Sequence, residues 1–417
     1  MALSKLHSQN LLGPILIYLI GYGLIFFSKG FSAASIYTIL SSVFIWGIYQ
    51  LVRQHRFARV GLAYSVFFIT PILSLTGQIG VLTGFNGNSS SLNWLGVSFV
   101  SAGIALFIYH DQFTLKSLFF NIMQPIRFNS GPVALTNVKI HAFSKKRALI
   151  YIRWMILGTF LFSVIASGLS QLLILKESTD ALDVLLFGIV FEAYVYFNFV
   201  GITMMAFGAL NLFGVRTVMN FNSPFAARNV IEYWQRWHIS LSTVLKNLFF
   251  LPFKKTFGLP IAIFLVFISS AMWHGVTLNF VIWGSFHALF WVITYYILKM
   301  IANKQLAKLL VLLLFPFIVV LGRLIFSESD SSILFFKVQQ LFTWSTDQNN
   351  VISTHLQFDT KTLFTVIFAT LLIAFEFTFP KLARRYHFLR HPYLSVVWII
   401  LCIAFSSFGI EGVYGTR

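Results

Sequence analysis

Two histidines stand in tryptophan-rich settings at opposite ends of one stretch, Trp234-Gln235-Arg236-Trp237-His238 and Met272-Trp273-His274-Gly275. Imidazole is the side chain best suited to pass a proton near neutral pH, and a polar group in an apolar chain needs a reason to be there. Passing a proton to or from a reacting group is the chemistry such a residue supports. Ser240 and Ser242 follow the first histidine, and Ser269, Ser270, Asn279, Trp283 and His287 surround the second. No rival constellation competes. The chain has no Gly-Lys-Ser/Thr phosphate loop, no Gly-x-Ser-x-Gly elbow and no His-Glu-x-x-His helix, so no metal site is expected. An ion-coupled transporter calls for carboxylates at mid-membrane, and Asp183, Glu192 and Glu376 are the candidates.

The elements that must position these residues follow from composition. The 417 residues are 58% hydrophobic and 10% charged, with a mean hydropathy of +0.81. Soluble domains carry about 25% charged residues, so this is an integral membrane protein. Apolar stretches near the roughly 20 residues a span needs run over 11–29, 32–52, 60–83, 92–110, 148–175, 184–213, 258–273, 278–298, 307–326, 361–379 and 393–410. They are continuous rather than alternating, which argues against a barrel. The expected architecture is an all-α polytopic domain over 1–417. It would have about ten or eleven transmembrane helices plus interfacial and re-entrant helices around a central tunnel. Residues 1–110 form N-terminal helices in this scheme, 120–330 the core, and 331–417 the C-terminal helices and a short external tail.

The net charge of +18 raises nucleic acid as a partner, but its distribution argues against one. Arg53, Arg56 and Arg59 share one loop, Lys139, Lys145, Lys146 and Arg147 another, and Lys254 and Lys255, Lys299 and Lys304, and Arg384 and Arg385 mark three more. The loops between them are uncharged or acidic. Basic loops stay cytoplasmic, which puts the N-terminus inside and the C-terminus outside a multi-pass cytoplasmic membrane protein, with the lipid bilayer as the surroundings of most of the chain. Segment 11–29 is long enough to stay as an anchor. The single cysteine, Cys402, allows no disulfide within the chain.

Four polar stretches interrupt the apolar pattern. Gln124 to Pro132, with two prolines and a glycine, forces a turn. Glu192 and Asn198 lie in an apolar helix and must face protein or water. Asn222-Ser223-Pro224 predicts a helix start capped by Ser223. The amphipathic helix expected after it would put Arg228 with Glu232, and Trp234 with His238, on shared faces. Counted from Lys255 at about 1.5 Å per residue, His274 lies most of the way across the membrane, and Gly275 lets the helix break there.

Asn220-Phe221-Asn222-Ser223-Pro224 leading into Trp234-Gln235-Arg236-Trp237-His238-Ile239-Ser240-Leu241-Ser242 resembles the signature of the membrane-bound O-acyltransferases. The resemblance is strongest to the bacterial branch that includes alginate O-acetylases and teichoic-acid D-alanyl transfer proteins. Met272-Trp273-His274-Gly275, then Asn279 to Gly284 and His287, is similar to the family's second signature, and Leu321-Gly322-Arg323-Leu324-Ile325-Phe326 to a later one. The resemblance covers roughly 120–330. It implies that His274 is the catalytic base, and that His238 is a second histidine lining the same passage nearer the cytoplasm. Substrate contacts are then expected from Trp273, Asn279, Trp237, Arg236, Ser240 and Asn198, although relatives carry an acidic residue where Asn198 stands. Relatives end in an aromatic tail, which makes Tyr414 a candidate acyl relay.

The expected reaction moves a small acyl group, acetyl ahead of D-alanyl, from a cytoplasmic thioester to a hydroxyl of an extracytoplasmic polysaccharide or cell-wall polymer. The donor would be acetyl-coenzyme A or a carrier protein's acyl-phosphopantetheine. An extracytoplasmic transferase is an expected partner, and no tightly bound cofactor is. A transporter or channel using the same histidine-lined path is the competing class, told apart by flux without a covalent product.

Overall fold

The computed structural model describes residues 13, 15–17, 19–21, 33–75, 97–127, 131–136, 145–328, 330–344, 360–379 and 391–405. Among these there are helices and turns but no extended strand, as the continuous apolar runs require. Among the described residues, six stretches are long and apolar enough to cross a membrane: Arg147–Glu177, Ala181–Leu212, Ile239–His274, Leu278–Met300, Lys304–Ser327 and Thr360–Thr378. Shorter apolar helices cover Ile39–Val52, Ser98–Tyr109 and Pro392–Phe405. The expected spans 11–29, 32–52, 60–83, 92–110 and 393–410 fall partly outside the described residues.

In chain order the helices are α1 (Ala33–Val52), α2 (Arg56–Leu75), α3 (Val97–Tyr109), α4 (Lys145–Phe160), α5 (Ala181–Leu212), α6 (Val230–Arg236), α7 (Ile239–Leu245), α8 (Leu251–His274), α9 (Leu278–Met300), α10 (Lys304–Ser327), α11 (Ser331–Thr343), α12 (Thr360–Thr378) and α13 (Pro392–Phe405). Helix α5 is the central mast. Its 32 residues reach roughly 48 Å at about 1.5 Å per residue. Asp180 caps its start, the carboxylate accepting from the Leu182 and Asp183 amides at 2.9 and 3.3 Å. Helices α4, α10 and α11 pack around it, and large apolar side chains such as Phe44, Leu313 and Ile403 face outward, where lipid would lie.

The α4–α5 contact depends on two glycines. A Cβ on Gly158 would lie 2.6 Å from the Gly201 carbonyl oxygen, and one on Gly201 would lie 2.8 Å from the Gly158 carbonyl oxygen. Small residues let membrane helices approach this closely, and dispersion then replaces the missing hydrophobic drive. Gly201→Val should therefore force the pair apart and cost about 1–3 kcal/mol or more. A Tm in detergent equal to the parent's would refute this.

The span expected at 258–273 is only half of a longer element. From Ile239 to His274 the chain is helical for 36 residues, which would be roughly 54 Å if straight. Its two ends nevertheless meet: the His238 and His274 rings pack edge-on against one indole, Trp273, at centroid distances of 5.9 and 4.8 Å. The reversal is at Gly258, whose φ of 81° and ψ of 177° are non-helical and open to a residue without a Cβ. Pro252 and Pro260 flank it. Residues 239–257 and 259–274 are thus the two arms of a hairpin, with Lys254 and Lys255 exposed near its tip. The two histidines are therefore neighbours at the hairpin's open end, each packed on the Trp273 indole. Helix α9 returns antiparallel to the second arm. Its C-terminal carbonyls at Leu298, Lys299 and Ile301 accept from the Lys304 ammonium at 3.0–3.2 Å, so the basic residues of 254–255 and 299–304 lie at the same end.

Candidate active site

Each histidine sits where a helix stops. Helix α6 begins after Asn229, whose side-chain oxygen accepts from the Glu232 amide at 3.0 Å, and ends at Arg236. Trp237 is extended, and His238 adopts a left-handed conformation with φ 45° and ψ 54°. Segment 220–222 replaces the helical hydrogen bonds lost at this break. The Asn222 amide donates to the Arg236 carbonyl at 3.0 Å, and the Ile239 amide to the Asn220 carbonyl at 2.8 Å. The Asn220 side-chain oxygen also accepts from the Ser240 amide at 3.2 Å and hydroxyl at 2.6 Å. His274 is the last residue of α8, with Gly275 as its cap.

This break corrects two local expectations. Ser223 does not cap a helix: it is left-handed itself, opens only the 3-10 turn Pro224–Ala226, and makes no side-chain cap bond. Trp234 and His238 do not share a helical face, because the helix ends between them. Glu232 pairs with Arg236 at 3.6 Å, while Arg228 lies over the Phe377 ring at 4.4 Å and donates to the Phe377 carbonyl at 2.7 Å.

A cavity of about 480 Å³ occupies the space between the two hairpin arms. The first arm presents His238, Leu241, Ser242, Leu245, Lys246 and Phe250 to it, a stripe at helical spacing. The second presents Ile263, Val266, Phe267, Ser270 and His274. Val195 and Phe199 of α5, Trp234 of α6, the extended residue Trp237 just after α6, and Trp283 and Trp291 of α9 close it. Arg323 and Phe326 of α10 complete the wall. His238 is 4% exposed and boxed by Phe99, Phe199 and Trp273 at 5.8, 4.8 and 5.9 Å. Neither of its ring nitrogens has a hydrogen-bond partner among the described residues. A buried imidazole left in this state is costly. His274 packs against Trp283 and Phe326 at 5.9 and 5.1 Å.

The charged group beside the histidines is a pair 131 residues apart in sequence. Arg323 Nε donates to Glu192 Oε2 at 2.5 Å, and the Tyr233 hydroxyl donates to Glu192 Oε1 at 2.6 Å. The Arg323 guanidinium lies 5.1 Å from the Trp237 ring and 5.5 Å from the Phe326 ring, so it reaches the same aromatic wall as His274. A guanidinium carries five N–H donors, more than Glu192 and Tyr233 can accept. Glu192 and Arg323 each carry a sequence signal, an acid in an apolar helix and a cation in an apolar run. Nothing in their spacing joins them.

Of the residues expected to form the site, His238, His274 and Trp237 meet at the cavity, with Trp273 packed between the two imidazoles and its Nε1 donating to the Ser98 carbonyl at 3.1 Å. The other expected residues are placed elsewhere. Asn279 donates to the Glu328 carbonyl at 2.7 Å and accepts from Ser331 at 2.6 Å, tying the start of α9 to the α10–α11 turn. Ser240 is held by Asn220 and accepts from the Val133 amide at 2.9 Å. Asn198 donates to the Tyr194 hydroxyl at 3.1 Å, and Arg236 is paired as above. Tyr414 lies outside the described residues.

Residues 182–326 match the model of the membrane-bound O-acyltransferase family. The chain is 29% identical to the "Probable alginate O-acetylase AlgI" of Pseudomonas aeruginosa over 46% of its own length and 38% of that protein's. It is 29% identical to the "Peptidoglycan O-acetyltransferase" of Helicobacter pylori over 38% and 33%. With the "Teichoic acid D-alanyltransferase" of Streptococcus thermophilus it shares 26% identity over 62% and 71%. The matched part thus spans well under half the length of the alginate O-acetylase relative. Both histidines, the hairpin and the Arg323–Glu192 pair fall inside residues 182–326, the segment that is similar to the membrane-bound O-acyltransferase family.

Proposed function

We propose that the protein is an O-acyltransferase that moves a small acyl group from a thioester donor to a hydroxyl of an extracytoplasmic polysaccharide or cell-wall polymer. The observation that carries this is the meeting of His238, His274 and Arg323 on one cavity lined by aromatic side chains. His274 acts as general base, taking the proton of the acceptor hydroxyl as its oxygen attacks the thioester carbonyl. The carbonyl oxygen gains negative charge as the C–O bond forms, and the spare N–H groups of Arg323 are the donors near enough to hold it. The C–S bond then breaks, and the thiolate leaves carrying the negative charge. His238 positions the donor from the facing arm.

The donor is coenzyme A or a phosphopantetheine arm on a carrier protein, both anionic. Exposed Lys246 on the cavity wall and Lys254 and Lys255 at the hairpin tip suit either. That basic end is the cytoplasmic one in this scheme, with the N-terminus inside, the C-terminus outside, and an extracytoplasmic transferase completing delivery to the polymer. Tyr414 would relay the acyl group near the outer mouth.

Purified protein in vesicles, supplied with radiolabelled acetyl-coenzyme A in one arm and an acetylated carrier protein in the other, tests this directly. Label on protein or polymer is expected in one arm. Labelled solute crossing into the lumen with no covalent product would replace transfer with solute passage.

A further inference from the structure

We propose that the cavity admits only acyl groups without charge, such as acetyl, and excludes an ammonium-bearing aminoacyl group such as D-alanyl. This rests on the transferase assignment above and specifies its substrate class.

The charges around the cavity carry the argument. The titratable and charged side chains that face it are His238 and Lys246 on the first arm, His274 on the second, and Arg323 on α10. Helices α5, α6 and α9 line it with no charged side chain, and no carboxylate is among the described lining residues. The two acidic residues nearest by sequence are both paired with arginine, Glu192 with Arg323 at 2.5 Å and Glu232 with Arg236 at 3.6 Å. An ammonium on the carbon next to the reacting carbonyl would enter a site holding Arg323, already paired with Glu192, and the exposed Lys246, with no free carboxylate among the described lining residues. Taking a charge out of water without a partner is expensive, and at low dielectric like charges repel strongly. Aromatic faces can stabilise a cation, but Arg323 already lies over Trp237 and Phe326. The guanidinium that suits an oxyanion is therefore the group that rejects an amine.

A D-lactyl group is the control, since it has the shape of D-alanyl with a hydroxyl in place of the ammonium. The probes are hydrolysis-resistant amide analogues of acetyl-, D-lactyl- and D-alanyl-phosphopantetheine, measured by calorimetry on the full chain in detergent from pH 6 to 9. The amine, with an ordinary pKa of about 8, can bind only in its neutral form, whose fraction falls about tenfold per pH unit below that value. The D-alanyl analogue should therefore bind roughly tenfold or more weakly than the D-lactyl one at pH 6.5 to 7, with the gap closing by pH 9. Taking the ratio of the two ligands cancels titration of the protein's own groups. Equal or tighter D-alanyl binding, a gap that does not change with pH, or binding of none of the three would overturn the proposal. A discriminating cavity in a protein that transfers no label from any thioester would leave this inference standing and refute the transferase assignment instead.

Discussion

His274→Ala should insert and fold as the parent does and transfer no measurable acyl group. The residue is half-buried at a helix end, so truncation removes ring contacts with Trp283 and Phe326 but leaves no buried charge unpaired. A positioned general base contributes about 10²- to 10⁴-fold, and acyl transfer to an unactivated hydroxyl offers no other route for the proton. His274→Gln keeps most of the volume and cannot act as a base at neutral pH, so it separates chemistry from packing. Both variants should bind the acetyl-phosphopantetheine amide within a few-fold of the parent. Full turnover in either would end the assignment. His238 calls for a different substitution because of its left-handed backbone. Asparagine tolerates that region better than alanine, so His238→Asn isolates loss of the imidazole from backbone strain. We expect a substantial but smaller loss there, expressed in KM as well as kcat, because His238 faces the base from the opposite arm without being the proton acceptor.

The sequence made the helical class and the two histidines visible, and it concealed how they meet. Composition settles the class because a chain with so few charges can satisfy its backbone in lipid only through helices. The histidines stood out because titratable groups are costly in such a chain. The reversal at Gly258 falls where the expected span 258–273 begins, just after the Lys254-Lys255 pair, but hydropathy alone does not show that the segment before it is a second helical arm. Counting from Lys255 put His274 most of the way across the membrane, and only the family resemblance put His238 in the same passage, so the packing of both rings on Trp273 was not legible. The local signals near Ser223 were present but misassigned. Proline at a first helical position pointed to Ser223 as the cap, whereas Asn229 followed three residues later by Glu232 is also a start signal, and it marks the real start of α6. Ser240, Asn279 and Asn198 were expected at the substrate through the family resemblance. Their partners, Asn220 and Val133, Glu328 and Ser331, and Tyr194, include backbone groups that no side-chain pattern reveals.

Arg323→Met should be the most destabilising single change among the cavity residues, and the double variant Glu192→Gln/Arg323→Met should recover most of that stability without recovering activity. The single change leaves Glu192, 4% exposed, as a buried carboxylate whose remaining partner is the Tyr233 hydroxyl. Removing one member of a buried pair costs about 3–5 kcal/mol, whereas replacing both with neutral groups is often neutral or favourable. Glutamine still accepts from Tyr233, and methionine has the length and flexibility to cover the Trp237 and Phe326 faces that the guanidinium now occupies. If Arg323 only held α10 to α5, the double variant would regain both Tm and turnover, since the fold would again be satisfied. If it also holds the developing oxyanion, kcat should stay about 10²- to 10³-fold below the parent's, the loss expected for one such donor, with the Tm restored. Measured together, Tm and kcat in the two variants separate a structural pair from a working one, because only a group that meets the reacting carbonyl leaves a kinetic loss once the packing is repaired.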